Sequence, residues 1–177
     1  MFENINVVVE SIGTIAFILA VISAAISFQQ PKKKILLAFL ILSFWLFAVQ
    51  YWLAGSTTGL IIAIIIAVRM MLFYFYERKN PGAKAPFAIL VIAMLSVVAT
   101  GVWTWQSLFS ILPIISGTIP AWGLWQNDMK TTRRTLLLGQ ISFLIFNLYI
   151  GMYMSVMANA VNIISIAIAM YRFDKKQ

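Results

Sequence analysis

The sequence predicts an all-α integral membrane protein whose seven transmembrane helices form two parallel triple-helix bundles joined by a linker helix. Three observations lead there. Charged residues make up only 10% of 177 positions and hydrophobic ones 62%, so the chain cannot build a polar surface around a soluble core. The apolar residues gather in seven runs, each close to the ~20 residues needed to cross the hydrocarbon layer. Basic residues fall in every second gap between those runs, as they do in loops on one side of a membrane. The runs must be helical, because open strands would leave amides unpaired in lipid and no run alternates with period two as barrel strands do.

The first run, residues 5–28, is preceded by Glu3 and by no basic residue, so it is expected to be retained as a span instead of being cleaved as a signal. Lys32, Lys33 and Lys34 follow it. The second run, 35–53, stops at Gly55, and the third, 57–76, runs into Arg78, Lys79 and Lys84. The fourth, 86–104, begins at a proline and ends among Trp103 and Trp105. The fifth, 107–125, contains Pro113 and Pro120, each without a backbone donor and able to bend a helix; with Gly117 they form a candidate hinge. Lys130, Arg133 and Arg134 precede the sixth run, 135–152. Only a tight turn at Tyr153 separates it from the seventh, 154–171, so these two form an antiparallel hairpin. Arg172, Lys175 and Lys176 close the chain.

The loops around Gly55, Trp105 and Tyr153 carry no basic residue, and of the 13 lysines and arginines only Arg69 departs from the alternation. This pattern predicts an N-terminus outside and a C-terminus in the cytoplasm of a bacterial inner membrane. Trp52, Trp103, Trp105 and Tyr153 suit the outer interfacial belt, and Tyr74, Tyr76, Trp125 and Tyr171 the inner one. The net charge of +8 is therefore read as loops facing anionic lipid and not as a nucleic-acid footprint, since the basic residues cover no continuous face. Lipid is the expected partner, with a small solute and a homo-oligomer left open. Cysteine and histidine are both absent, which removes thiol chemistry, the usual zinc sites and the commonest general base. With neither paired carboxylates nor a Ser/Lys pair inside the spans, no metal, cofactor or enzymatic activity is expected.

Residues 10–79 can be laid over 107–176 at a constant offset of about 97 without gaps. Gln29 then falls on Gln126, the basic loop 31–34 falls near 128–130, and Gln50-Tyr51-Trp52-Leu53-Ala54-Gly55 falls near Asn147-Leu148-Tyr149-Ile150-Gly151. The expected units are 5–79 and 107–176, with 86–104 as the linker; the alternative is seven unrelated helices of similar composition. Three spans per unit and one span between them give both units the same orientation, a 3+1+3 plan.

That plan resembles the SWEET sugar transporters and the wider PQ-loop and PnuC-type carriers. Ser11-Ile12-Gly13-Thr14-Ile15-Ala16-Phe17, Val49-Gln50-Tyr51-Trp52-Leu53-Ala54-Gly55, Ala67-Val68-Arg69 and Leu112-Pro113-Ile114-Ile115-Ser116-Gly117-Thr118 resemble more closely the YgjV-type bacterial inner membrane proteins. The SWEET likeness implies a solute site between the two units, held by asparagines on the third helix of each. Asn159 and Asn162 match this in the second unit, whereas residues 62–68 of the first contain no asparagine. SWEET-like carriers place hinge prolines in the first two helices of both units, whereas here Pro113 and Pro120 lie in the fifth span and the first, second and sixth have none, so sugar is only one candidate solute.

Arg69 is the foremost candidate. Taking the third span as centred near Ile66, its Cα lies about 4 Å from the midplane, where a charge costs at least ~2.5 kcal/mol on insertion scales unless it meets a cavity, a partner or a solute. Glu10 is the only embedded acid, roughly 10 Å away in depth, so carbonyls freed at a kink are the better protein partner. The embedded amides Gln50, Gln140, Asn147, Asn159 and Asn162 must turn inward, either to bind helices together or to touch a solute. Trp45 and Trp122 lie within spans and offer either a stacking wall or ordinary packing. The sequence therefore suggests a small polar or anionic solute carrier using Arg69, Asn159, Asn162, Gln50, Asn147, Trp122 and Trp45. The alternative is a non-transporting membrane scaffold or accessory protein.

Overall fold

A computed structural model describes the backbone of residues 2–105 and 107–174, and the side chains from Val9 onward within them except Thr58. Seven α-helices follow in order: α1 (Phe2–Phe28), α2 (Lys33–Leu53), α3 (Thr57–Lys79), α4 (Phe87–Trp103), α5 (Ile111–Trp125), α6 (Met129–Tyr149) and α7 (Tyr153–Phe173). A single 3₁₀ turn, Leu108–Ser110, leads into α5, and no strand occurs among the described residues. Five helical stretches are long and apolar enough to cross a membrane: Val9–Phe28, Lys33–Leu53, Gly59–Lys79, Leu108–Trp125 and Tyr153–Phe173. α4 has 17 residues, about 25 Å at the helical rise. α6 has 21, with Lys130, Arg133 and Arg134 in its first two turns.

The packing reflects the solvent. On α1, Ala16, Ala20, Ala24 and Ser27 are buried, whereas Ile12, Ile15, Leu19, Ile22 and Ile26 are exposed. Hydrocarbon offers large side chains nothing to flee from, so small residues take the helix contacts and let backbones approach. Two hydroxyls use that closeness: Ser23 donates to the Phe39 carbonyl and Ser43 to the Ala20 carbonyl, both at 2.8 Å, tying α1 to α2. Within each half the second helix lies between the other two: α2 touches α1 and α3, and α6 touches α5 and α7. α4 packs mainly on α5 and more lightly on α3. The two halves meet chiefly where α1 lies along α7.

The turn between second and third helices takes the same form in both halves. Gly55 (φ 69°) and Gly151 (φ 74°) sit in the left-handed region that glycine alone enters without strain. The amides of Ala54, Gly55 and Ser56 donate to Gln50, Trp52 and Tyr51, and those of Ile150, Gly151 and Met152 donate to Phe146, Leu148 and Asn147, each 96 residues further on. The first helices end 97 apart, at Phe28 and Trp125. The connection from first to second helix is one residue shorter in the second half, which accounts for the slip.

Two sequence expectations change. α6 begins at Met129, not at residue 135, so Lys130, Arg133 and Arg134 are helical and not loop residues. Asp128 is the cause: its carboxylate accepts from the backbone N–H of Lys130 and Thr131 and caps the helix early. Pro113, expected to kink the fifth span, occupies the first turn of α5, where a missing N–H interrupts nothing; Pro120 alone lies in the helix interior.

The Asp128 carboxyl is held below the ordinary carboxylate range by the Thr131 hydroxyl first, with burial opposing it next in size and the Thr131 and Lys130 amides and the Lys130 charge adding to the lowering. A depressed folded-state value makes the cap stabilising above the unfolded value near pH 4 and loses that contribution as pH falls through the folded value. Asp128→Ala should therefore cost about 1 kcal/mol at neutral pH. The gap between wild-type and variant melting midpoints in detergent should narrow only below about pH 4; a gap unchanged at pH 3 would refute the cap.

Candidate functional site

Arg69 sits on the inward stripe of α3 with Ala63, Ala67, Met70 and Phe73, while Val68, Leu72 and Phe75 face outward. It is 6% exposed. Its Nη1 donates to the Gly117 carbonyl of α5 at 3.4 Å, at the long limit of a hydrogen bond, and its buried Nε has no partner. A carbonyl one turn before Pro120 is thus the protein group nearest to satisfying this guanidinium. Glu10 is exposed on α1, and among the described residues it makes no ion pair with Arg69. Arg69 spans the seam between α3 and α5, which is much the looser of the two seams joining the halves.

Of the proposed hinge, Gly117 and Pro120 are contact points. A Cβ on Gly117 would lie 2.6 Å from Val97 Cγ1 of α4, and Gly139 of α6 packs against the Pro120 ring and the Ser116 carbonyl. Both residues hold neighbouring helices close, and Pro113 lies outside the helix interior.

Three amides form a relay between α6 and α7. Asn147 Nδ2 donates to Asn159 Oδ1 at 2.8 Å, and Asn159 Nδ2 donates to Gln140 Oε1 at 2.6 Å. Asn162, one turn beyond Asn159 on the same face, is 6% exposed and its Oδ1 has no partner. Gln50 is half-buried. Trp45 and Trp122 are 42% and 43% exposed, so both rings lie at the outer surface of the bundle. The candidate residues therefore gather in two places: Arg69 with Gly117, and the relay Gln140–Asn159–Asn147 beside Asn162.

One further polar cluster joins basic residues whose spacing in the sequence marks only loop charge. Lys33, at the start of α2, and Glu77, near the end of α3, pair at 3.8 Å, and Lys33 Nζ donates to the Gln126 carbonyl at 2.8 Å. Arg133, in α6, and Asp174, capping α7, pair at 2.5 Å, and Arg133 Nη2 donates to the Gln30 carbonyl at 3.1 Å. Arg133 is 2% exposed and also covers the Phe173 ring. Nearby, Gln29 Nε2 donates to the carbonyl and hydroxyl of Ser165, whose hydroxyl donates to Ala25. Glu77 and Asp174 are 97 apart in the chain, one residue off the 96-residue spacing of the two glycine turns.

The sequence pattern of a family of bacterial inner membrane proteins matches residues 7–177. No curated protein and no solved structure matches the chain. With nearly the whole length matched, and five of the seven described helices long and apolar enough to cross a membrane, the chain belongs to the Imp-YgjV family of bacterial inner membrane proteins.

Proposed function

We propose that the protein is a carrier of small polar or anionic solutes, non-enzymatic, in which two three-helix units, α1–α3 and α5–α7, move against one another in a SWEET-like 3+1+3 plan with α4 as the link. The observation that carries this reading is Arg69: a guanidinium buried within a span, with Nε unpartnered and one long bond to a carbonyl. So little compensation for a buried cation is a standing invitation to an anionic or strongly polar group. Asn162, with a free carbonyl oxygen on the third helix of the other unit, supplies a second polar contact. Coupling to protons is not favoured, because no carboxylate lies near the midplane to take one up and release it, so facilitated diffusion or trapping after entry fits better. The N-terminus is assigned to the outside and the basic end to the cytoplasm.

Uptake of a panel of labelled carboxylates, phosphates and neutral polar solutes into proteoliposomes tests the reading. Wild type should accumulate at least one of them, Arg69→Ala should reduce that flux at least tenfold while remaining monodisperse, and Arg69→Lys should fall between. Absence of flux for every solute in wild type would overturn it. The second reading, a scaffold or accessory subunit, draws on the amide relay, where Asn147, Asn159 and Gln140 bond one another and hold α6 to α7. A scaffold shows no flux in either form.

A further inference from the structure

The cluster at the basic end has a symmetry that packing alone does not require. In the first unit, Lys33 on the second helix is paired with Glu77 on the third, and donates to Gln126, just past the first helix of the other unit. In the second unit, Arg133 on the second helix is paired with Asp174 at the end of the third, and donates to Gln30, just past the first helix of the other unit. Gln30 and Gln126 are 96 apart, the offset of the repeated turn. Each unit thus reaches the chain just past the other unit's first helix, Lys33 from the first residue of α2 and Arg133 from one turn further into α6, and the two reaches are reciprocal.

We infer that these two clasps form a gate at the basic end, holding the units together on that side in the state described and releasing when the units part. The inference rests on the carrier reading, because a gate needs something to pass. The chemistry of the clasp favours a latch over a permanent staple. Each base keeps its acid partner on its own unit, so parting the units strands no charge: Lys33 travels with Glu77, and Arg133 with Asp174. What is surrendered is a hydrogen bond from each cation to a neutral carbonyl, and water entering the opened mouth replaces it. A pair divided across the interface would instead leave two bare charges at every opening. The Gln29–Ser165 bonds close the α1–α7 seam just inside the clasps, and α3 and α5 are bridged deeper in by Arg69.

The chain contains no cysteine, so a single reporter thiol is clean. Ala169→Cys, one turn along α7 from Ser165 and fully buried, places one near the seam and leaves the Gln29–Ser165 bonds in place. In nanodiscs, its modification by a membrane-impermeant maleimide should be slow when the clasps are intact. Removing both clasps with their acids, as Lys33→Met, Glu77→Gln, Arg133→Met and Asp174→Asn together, should raise the rate at least tenfold. Each half-set should give a smaller rise, and the half-sets serve as the test if the fourfold variant does not fold. Lys33→Arg, which can still reach Gln126, should label at the wild-type rate. A monodisperse clasp-free variant labelling no faster than the intact protein would overturn the gate. The thiol readout needs no solute, so a wild-type protein without flux would sink the carrier reading and leave this measurement standing.

Discussion

Asp174→Ala is expected to cost about 3–5 kcal/mol, the loss that follows when one partner of a buried ion pair is removed. Arg133 is 2% exposed, and Asp174 is the carboxylate that balances it. Truncation leaves a buried guanidinium with a carbonyl of Gln30 and a ring face as its remaining partners, and neither carries a compensating charge. The geometry already has little to spare, because Arg133 Nε and Asp174 Oδ2 are both buried without partners. The pair as a whole is a different matter. Exchanging both members for apolar groups of similar volume removes the desolvation cost together with the attraction, so Arg133→Met with Asp174→Leu should recover most of the loss. Denaturant or thermal unfolding in detergent, run on the two single variants and the double, measures the coupling. A double variant as unstable as Asp174→Ala would show that the aspartate acts through something other than this arginine.

Gly139→Ala should be the second severe change. A Cβ there would stand 2.5 Å from Pro120 Cγ and 2.9 Å from the Ser116 carbonyl oxygen, both parts of α5 that cannot swing aside as a flexible side chain can. The two helices must separate, and a close contact between α5 and α6 is forfeited. A cost of about 1–3 kcal/mol follows from overpacking, beyond the gain that alanine normally brings to a helix. Gly13→Ala is the control: it is also a buried helical glycine, but its Cβ would meet only Leu53 Cβ at an ordinary 3.9 Å. It should be neutral or stabilising by up to about 1 kcal/mol. Equal melting midpoints for the two variants would rule out the tight α5–α6 approach as the reason for glycine at 139.

These residues also mark how far a linear reading reaches. Each of the seven helices was legible, most to within a few residues at either end, because lipid imposes length and apolarity on every span separately. Arg69 was legible for the same reason, since a cation inside an apolar run is anomalous whatever surrounds it. α6 was misjudged at its start because its first turns emerge from the apolar layer. There a single N-cap at Asp128 decides the boundary, and a hydropathy run does not register it. Trp45 and Trp122 suit either a stacking wall or ordinary packing by their place in the spans, yet both are well exposed; an apolar ring is tolerated on either side of a span, and composition does not say which side meets a neighbour.

By itself the sequence determined the membrane class, the helix count and the positions at which a polar group would be costly. Each of these follows from the solvent acting on one segment at a time. Tertiary structure alone decided which of those polar groups satisfy one another: that Asn147, Asn159 and Gln140 form a relay, that Arg69 is left with one long bond to Gly117, and that the basic ends are clasped reciprocally. Hydrogen bonds depend on distances of a few tenths of an ångström between helices far apart in the chain, and only the packing of small residues at their contacts sets those distances.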